Sequence, residues 1–185
     1  MQLSDNDIIA RCCQGDVAAH KLLYERYVTY AYAIILRYAK NDSDAEELLN
    51  DVFIKAFAKI LQYSKKSSFR YWLRKIIVNT SIDYYRKSLR KEKMEPLYDE
   101  LPVRVKNHYL NELEAEDIIK MIQSLPERYR LVFNLFEMEG YKHEEIAGML
   151  GMEVSSSRSL LSRAKKMLKD MIVREKKRLR NAAGY

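Results

Sequence analysis

From Val154 to Lys169 the chain carries Ser155, Ser156, Arg158, Ser159, Ser162, Arg163, Lys165 and Lys166, and not one carboxylate. Hydroxyls and guanidinium groups at this density suit a polyanion. A hydroxyl can bond a phosphate or a base, and an arginine can pair bidentately with the guanine edge in the major groove. Ser157, Leu161, Ala164 and Leu168 interleave with this set at helical spacing, so the polar residues fall on the remaining faces of one helix. Ser155, Ser156, Arg158, Ser159, Arg163 and Lys166 are therefore candidate DNA-binding residues. Arg158 and Arg163 lie five positions apart, offset by about 140° around the axis. Arg158 is nearer the helix N-terminus, which enters the groove first in most helix-turn-helix proteins, and is assigned base reading; Arg163 could serve either bases or phosphates.

A helix preceding this one must hold it in place. His143 to Leu150 places Ile146, Ala147 and Leu150 on one face. Gly151 follows, at the position after a helix where positive φ costs glycine little. Small Ala147 lets the two helices cross closely, and the whole has the plan of a helix-turn-helix. Upstream, Leu113 begins a helix with Ile118, Ile119, Met121, Ile122 and Leu125 apolar. Pro126 fits N1 of the next helix, whose expected core is Leu131, Val132, Leu135 and Phe136, with Gly140 ending it.

Other chemistries find little support. No paired acid and base, no metal-ligand spacing and no phosphate-cradling glycine loop is legible, so no enzyme activity, metal or cofactor is expected. His20, His108 and His143 are scattered. Cys12 and Cys13 are adjacent, a spacing that rarely meets disulfide geometry, and are read as two reduced thiols. There is no signal peptide and no apolar run long enough to cross a bilayer, which points to a cytoplasmic protein.

The 185 residues are 48% hydrophobic, with only 5 Gly and 3 Pro, and 3.6-residue periodicity dominates. The expected fold is all-α: two small helical domains joined by a flexible linker, the second bearing the helix-turn-helix. The formal net charge is +7. Positive charge concentrates in Arg86 to Lys93 and Arg163 to Arg180, negative charge in Asp42 to Asp51. In the first domain Ser4 and Asp7 predict a capped helix carrying Ile8, Ile9 and Cys12. Asp16 caps a helix from Val17 to about Lys40, with Ala19, Leu22, Leu23, Tyr27, Tyr30, Ala31, Ile34, Ile35 and Tyr38 in one stripe. Ser43 and Glu46 form a capping box opening a helix to about Leu61. Gln62 to Ser68 is a polar loop, and Ser67 caps a helix from Phe69 to about Leu89. That last helix interleaves Trp72, Tyr84 and Tyr85 with cations, a composition suited to unstacked bases. Residues 94–112, broken by Pro96 and Pro102, are read as the linker. The domains are then 1–93 and 113–175, followed by a basic tail at 176–185 with its last residues frayed.

Two blocks resemble the extracytoplasmic-function (ECF) sigma factors of bacterial RNA polymerase. The first comprises LLYERY at 22–27, DAEELLNDVFIKAF at 44–57 and FRYWLRKIIVNTSIDYYRK at 69–87. The second comprises SLPERYRLVFNLFEMEGYKHEEIAGMLGM at 124–152 and SRSLLSRAKKML at 157–168. The resemblance implies a sigma region 2-like domain and a sigma region 4-like domain. It assigns Asp44, Glu47, Asn50 and Asp51 to the β′ clamp helices of core RNA polymerase, and the β flap is implied as a second contact. It assigns Asn79, Asp83 and Arg86 to the −10 element, with Gln62 to Ser68 as a base-capturing loop, and Arg158, Ser159 and Arg163 to the −35 element. An anti-sigma factor is an implied partner. Where the family often has Gly-Thr-hydrophobic entering its recognition helix, this chain has Ser155-Ser156-Ser157.

The implied function is to bind core polymerase and direct promoter recognition and melting. The alternatives are a DNA-binding regulator that uses only the helix-turn-helix, and an anti-sigma-binding protein without initiation activity. The first leaves the DAEELLNDVF helix without a role.

Overall fold

The computed structural model describes residues 3–92 and 113–182, so the linker expected at 94–112 lies outside the described residues. The chain divides into two compact units, Met1–Tyr109 and Leu110–Tyr185. Both are helical, and the described residues contain no strand.

The first unit holds α1 (Asp5–Cys13), α2 (Val17–Ile35), α3 (Asp42–Ala58) and α4 (Phe69–Glu92). Ser4 caps α1 and Asp7 reciprocates, as expected. Asp16 caps α2 by accepting from the Ala19 N–H at 3.1 Å, while Arg11 donates to its other oxygen at 2.8 Å. Those bonds, the Arg11 one foremost, hold the Asp16 carboxyl below its usual range.

Four helix ends differ from expectation. α2 stops at Ile35 rather than Lys40, because the Arg37 and Tyr38 N–H groups turn to carbonyls three residues back. α3 is capped by Asn41, not Ser43: Asn41 Oδ1 accepts from the Asp44 N–H at 2.8 Å, which leaves Ser43 inside the first turn. α3 also ends early, at Ala58, and a 3-10 turn at Ile60–Gln62 completes the descent. Before α4, Ser68 rather than Ser67 caps, accepting from the Tyr71 N–H at 3.3 Å.

The core of this unit is built from Ile8, Ile9, Leu23, Ile35, Leu48, Val52, Leu73 and Ile77, all essentially inaccessible to solvent. Each such side chain contributes about 1.5–3 kcal/mol by burial. Leu22 was expected in the α2 stripe and is exposed; Tyr32, outside that stripe, is buried. Tyr27 ties α1 to α2. Its hydroxyl donates to the Asp5 carboxylate, which also takes the Arg26 guanidinium at 2.7 Å.

The second unit holds α5 (Leu113–Gln123), α6 (Glu127–Phe133), α7 (His143–Leu150) and α8 (Val154–Ala182). Pro126 is the N-cap of α6, one position before the expected N1. α6 runs on into a π-helical segment at Asn134–Met138, which Gly140 ends at φ 78°. Leu131, Val132 and Leu135 are buried as expected, but Ile118 of α5 is 59% exposed. Arg130 is buried instead, donating to the Gln123 carbonyl at 2.7 Å and so fastening α6 to the end of α5. Gly151 terminates α7 in the left-handed region at φ 63°. α8 continues unbroken through residue 176 to Ala182, so Asn181 and Ala182, expected to fray, are helical; residues 183–185 lie outside the described residues.

Candidate nucleic-acid interface

α7 and α8 pack against each other as the helix-turn-helix pattern requires. Ile146, Ala147, Leu161 and Ala164 are buried between them and the rest of the unit. On α8 the candidate residues Ser155, Ser156, Arg158, Ser159, Arg163 and Lys166 are all exposed. The pattern of hydroxyls and cations is thus a solvent-facing surface, as the spacing required.

Ser157 is fully buried, and its hydroxyl is hydrogen-bonded to His143 Nδ1 at 2.9 Å. The His143 ring stacks on Phe136, with centroids 4.5 Å apart and planes 25° from parallel. A polar pair therefore occupies the seam where the resembling family packs an apolar side chain. The burial is tolerated because the hydroxyl is bonded; an unpaired one would cost about 1–3 kcal/mol. One residue further along each helix, the Arg158 guanidinium lies 3.4 Å from the Glu144 carboxylate. Lys165 pairs with Glu137 of the π-helical segment at 2.7 Å. Sequence reasoning missed Glu137 and Glu144, since neither has a local pattern that points to α8.

In the first unit, α3 presents Glu47 and Asn50 as exposed residues, while Asp44 and Asp51 are half-buried. On α4, Asn79, Asp83 and Arg86 are exposed, and their spacing places them on one face. Glu47, Asp51 and Asp83 meet in one cleft of about 130 Å³, lined also by Lys55, Thr80, Tyr84 and Lys87. Lys55 Nζ reaches Asp83 at 3.4 Å, and Arg86 lies 4.0 Å from the same carboxylate. The acids of α3 and Asp83 of α4, assigned to different partners from the sequence, are neighbours.

The loop before α4 is shaped by aromatics. The Tyr63 hydroxyl donates to the Ser67 carbonyl at 2.7 Å. Its ring lies 5.6 Å from Phe69 and 5.5 Å from Trp72, which fixes Trp72 in a cluster rather than in solvent. Lys65, at the loop's centre, takes φ 59°. Tyr71, which the sequence reading passed over, is 52% exposed with Lys75 Nζ 4.8 Å from its ring centroid. Its place before Trp72 hid it, because an aromatic pair reads as core. Tyr84 is half-buried beside the cleft and Tyr85 is buried. Cys12 is buried and Cys13 exposed, and both are free. Burial pushes the Cys12 thiol above its ordinary value. No cluster of potential metal ligands and no helix long and apolar enough to cross a membrane occurs among the described residues.

Two helical units, one closing in a helix-turn-helix with an acid-free basic face, define a DNA-binding protein of modular build. The family profile for Sigma-70 region 2 matches residues 23–91, and that for Sigma-70, region 4 matches residues 115–168. The ECF RNA polymerase sigma-E factor of Haemophilus influenzae is 29% identical over 183 residues, covering 92% of this chain and 96% of the relative. The protein of the same name from Escherichia coli K12 is 27% identical over 186 residues, covering 92% and 95%. The structure of sigma factor RpoE in complex with the anti-sigma factor NepR from Bartonella quintana shares the fold. It aligns at TM-score 0.54 and 23% identity, over 82% of this chain and 95% of that one. The chain belongs to the ECF sigma factors of the sigma-70 family, non-catalytic proteins that direct RNA polymerase to promoters.

Proposed function

We propose that the two units divide promoter recognition between them, within the cytoplasm. The first spans residues 1–93. Asp44, Glu47, Asn50 and Asp51 dock on the β′ clamp helices of core polymerase, while Asn79, Asp83 and Arg86, with the loop from Gln62 to Ser68, read and help melt the −10 element. The second, residues 113–175, reads the −35 element through Ser155, Ser156, Arg158, Ser159, Arg163 and Lys166 and contacts the β flap. The basic stretch from 176 adds phosphate attraction.

The observation that carries this reading is the sorting of α8. Its six candidate side chains are exposed, whereas Ser157, Leu161 and Ala164 are buried. Arg158 lies in the first turns, where a recognition helix enters the major groove. An anti-sigma factor is the natural regulatory partner, as for the RpoE bound to NepR.

The test is reconstituted transcription. Core polymerase with this protein as the only added factor should initiate at a promoter and open it, read by permanganate reactivity of thymines near −10. Arg158→Ala should relax preference at one −35 position, since a bidentate arginine–guanine pair is worth ~1–3 kcal/mol of discrimination. Failure to initiate would leave a DNA-binding regulator; equal loss on every −35 variant would make Arg158 a backbone contact.

A further inference from the structure

Three consecutive residues open α7, and each is committed to a different bond. Glu145 turns back to accept from the Lys142 N–H at 2.7 Å, closing the helix end. His143 bonds the buried Ser157 and stacks on Phe136. Glu144 meets Arg158. The His143 bond fixes the register of α7 against α8, and the Glu145 bond fixes the start of α7. Glu144 therefore holds its carboxylate at a set place beside the guanidinium.

From this arrangement we infer that Glu144 is a positioning residue for −35 reading: it orients the Arg158 guanidinium for a base edge and disfavours its diversion to a phosphate. The inference rests on the base-reading role proposed for Arg158. Only Nη2 of Arg158 faces the Glu144 carboxylate, at 3.4 Å. A guanidinium has five N–H donors in a planar fork. One edge can therefore be held while others remain for a guanine O6 and N7. Both side chains are more than 60% exposed, so the pair is weak in the free protein. It gains strength where DNA covers it and lowers the local dielectric. An arginine already held loses less freedom when it binds. The same carboxylate repels phosphate oxygens, which penalises backbone-only docking on every sequence. The ordinary role of an acid in a first helical turn, favourable interaction with the helix dipole, is already available from Glu145 and needs no arginine partner.

The experiment measures binding of the full chain to −35 duplex variants by fluorescence anisotropy at two salt concentrations. Glu144→Ala should lower discrimination at the position read by Arg158 by about two- to fivefold, the range to which an exposed ion pair converts. Affinity for unrelated sequences should rise. Glu144→Gln keeps an acceptor without the charge and should restore part of the discrimination. In an Arg158→Ala background, Glu144→Ala should change discrimination no further. Retained discrimination in Glu144→Ala, while Arg158→Ala abolishes it, would overturn the role of Glu144 and leave Arg158 as a base reader. Equal loss across variants in Arg158→Ala would instead remove the base-reading assignment beneath it. Unchanged melting of the helical signal in Glu144→Ala separates these readouts from a folding defect.

Discussion

Tyr27→Phe tests how the first unit is held together. The Tyr27 side chain is 8% exposed, and its hydroxyl donates to the Asp5 carboxylate on α1. Phenylalanine keeps the ring and its edge-on contact with Phe69, whose centroid is 4.9 Å away. Only the hydroxyl is lost. A hydrogen bond to a charged group is worth ~1.5–3 kcal/mol. Asp5 retains Arg26 at 2.7 Å, so its carboxylate is not stranded and the low end applies. The expected loss of about 1.5 kcal/mol converts to a fall of roughly 6–12 °C in the melting temperature of a unit this size.

The assay is tryptophan fluorescence, because the sole tryptophan, Trp72, lies 5.3 Å from Phe69 and so reports this unit. Crossing the substitution with Asp5→Asn should show that the two losses are not additive. pH adds a check. Burial first, and the bond to Asp5 second, raise the Tyr27 phenol above its ordinary value. A folded-state value above the unfolded one means stability present below about pH 10 and lost progressively at higher pH. The parent should therefore lose its advantage over Tyr27→Phe above that pH. A variant within ~0.3 kcal/mol of the parent at pH 7 would refute the assignment of this bond as the tie between α1 and α2.

Gly151→Ala should destabilise the second unit by about 1–2 kcal/mol, read by circular dichroism, because no atom would crowd the new Cβ and the whole cost is the left-handed backbone. Ser157→Ala should cost the second unit about 0.5–1.5 kcal/mol in a denaturant titration, the net worth of the His143 bond. Asn50→Arg should weaken binding to core polymerase in a pull-down titration while leaving Trp72 fluorescence unchanged, since Asn50 is exposed. Asp51→Arg is the less clean probe: Asp51 is half-buried beside Lys55, so it should lose stability as well, beyond the roughly 0.5 kcal/mol of an ordinary surface change.

The helical order and the helix-turn-helix were legible because their signals are local. Ser4, Asp16 and Gly151 each act on backbone groups a few residues away. Asn41 and Ser43 show where local signals run out, as two capable caps two positions apart compete and the sequence does not rank them. The π-helical segment at Asn134–Met138 has no periodic signature of its own. At the candidate surfaces, residue types on one helix were readable and partners on another were not. His143 and Ser157 are fourteen positions apart, as are Glu144 and Arg158; Asp51 and Asp83 are thirty-two apart. Only packing brings such pairs together. The hydroxyl of Ser157 departs from an apolar seam, and it supplies the seam's hydrogen bond.

Because α8 is a single helix, it behaves mechanically as a beam resting on a fulcrum. The support is the packed stretch from Ser157 to Met171: Ser157, Leu161 and Ala164 are buried, and Met171 Sδ lies 3.3 Å from the Ser124 hydroxyl at the end of α5. From its middle, at Ala164, the arm to Ala182 is ~27 Å and the arm to Ser155 is ~13 Å at 1.5 Å per residue. A partner that displaces the far end by ~2 Å rotates the beam by ~4° and carries the groove-facing end about 1 Å the other way. That travel would stretch an N–H···O contact from ~2.9 Å to well beyond bonding range. The exposed cations Arg174, Lys176, Lys177 and Arg178 lie on the long arm, so a load applied there reaches the DNA-facing turns at a two-to-one reduction and is felt by the Ser157–His143 bond on the way.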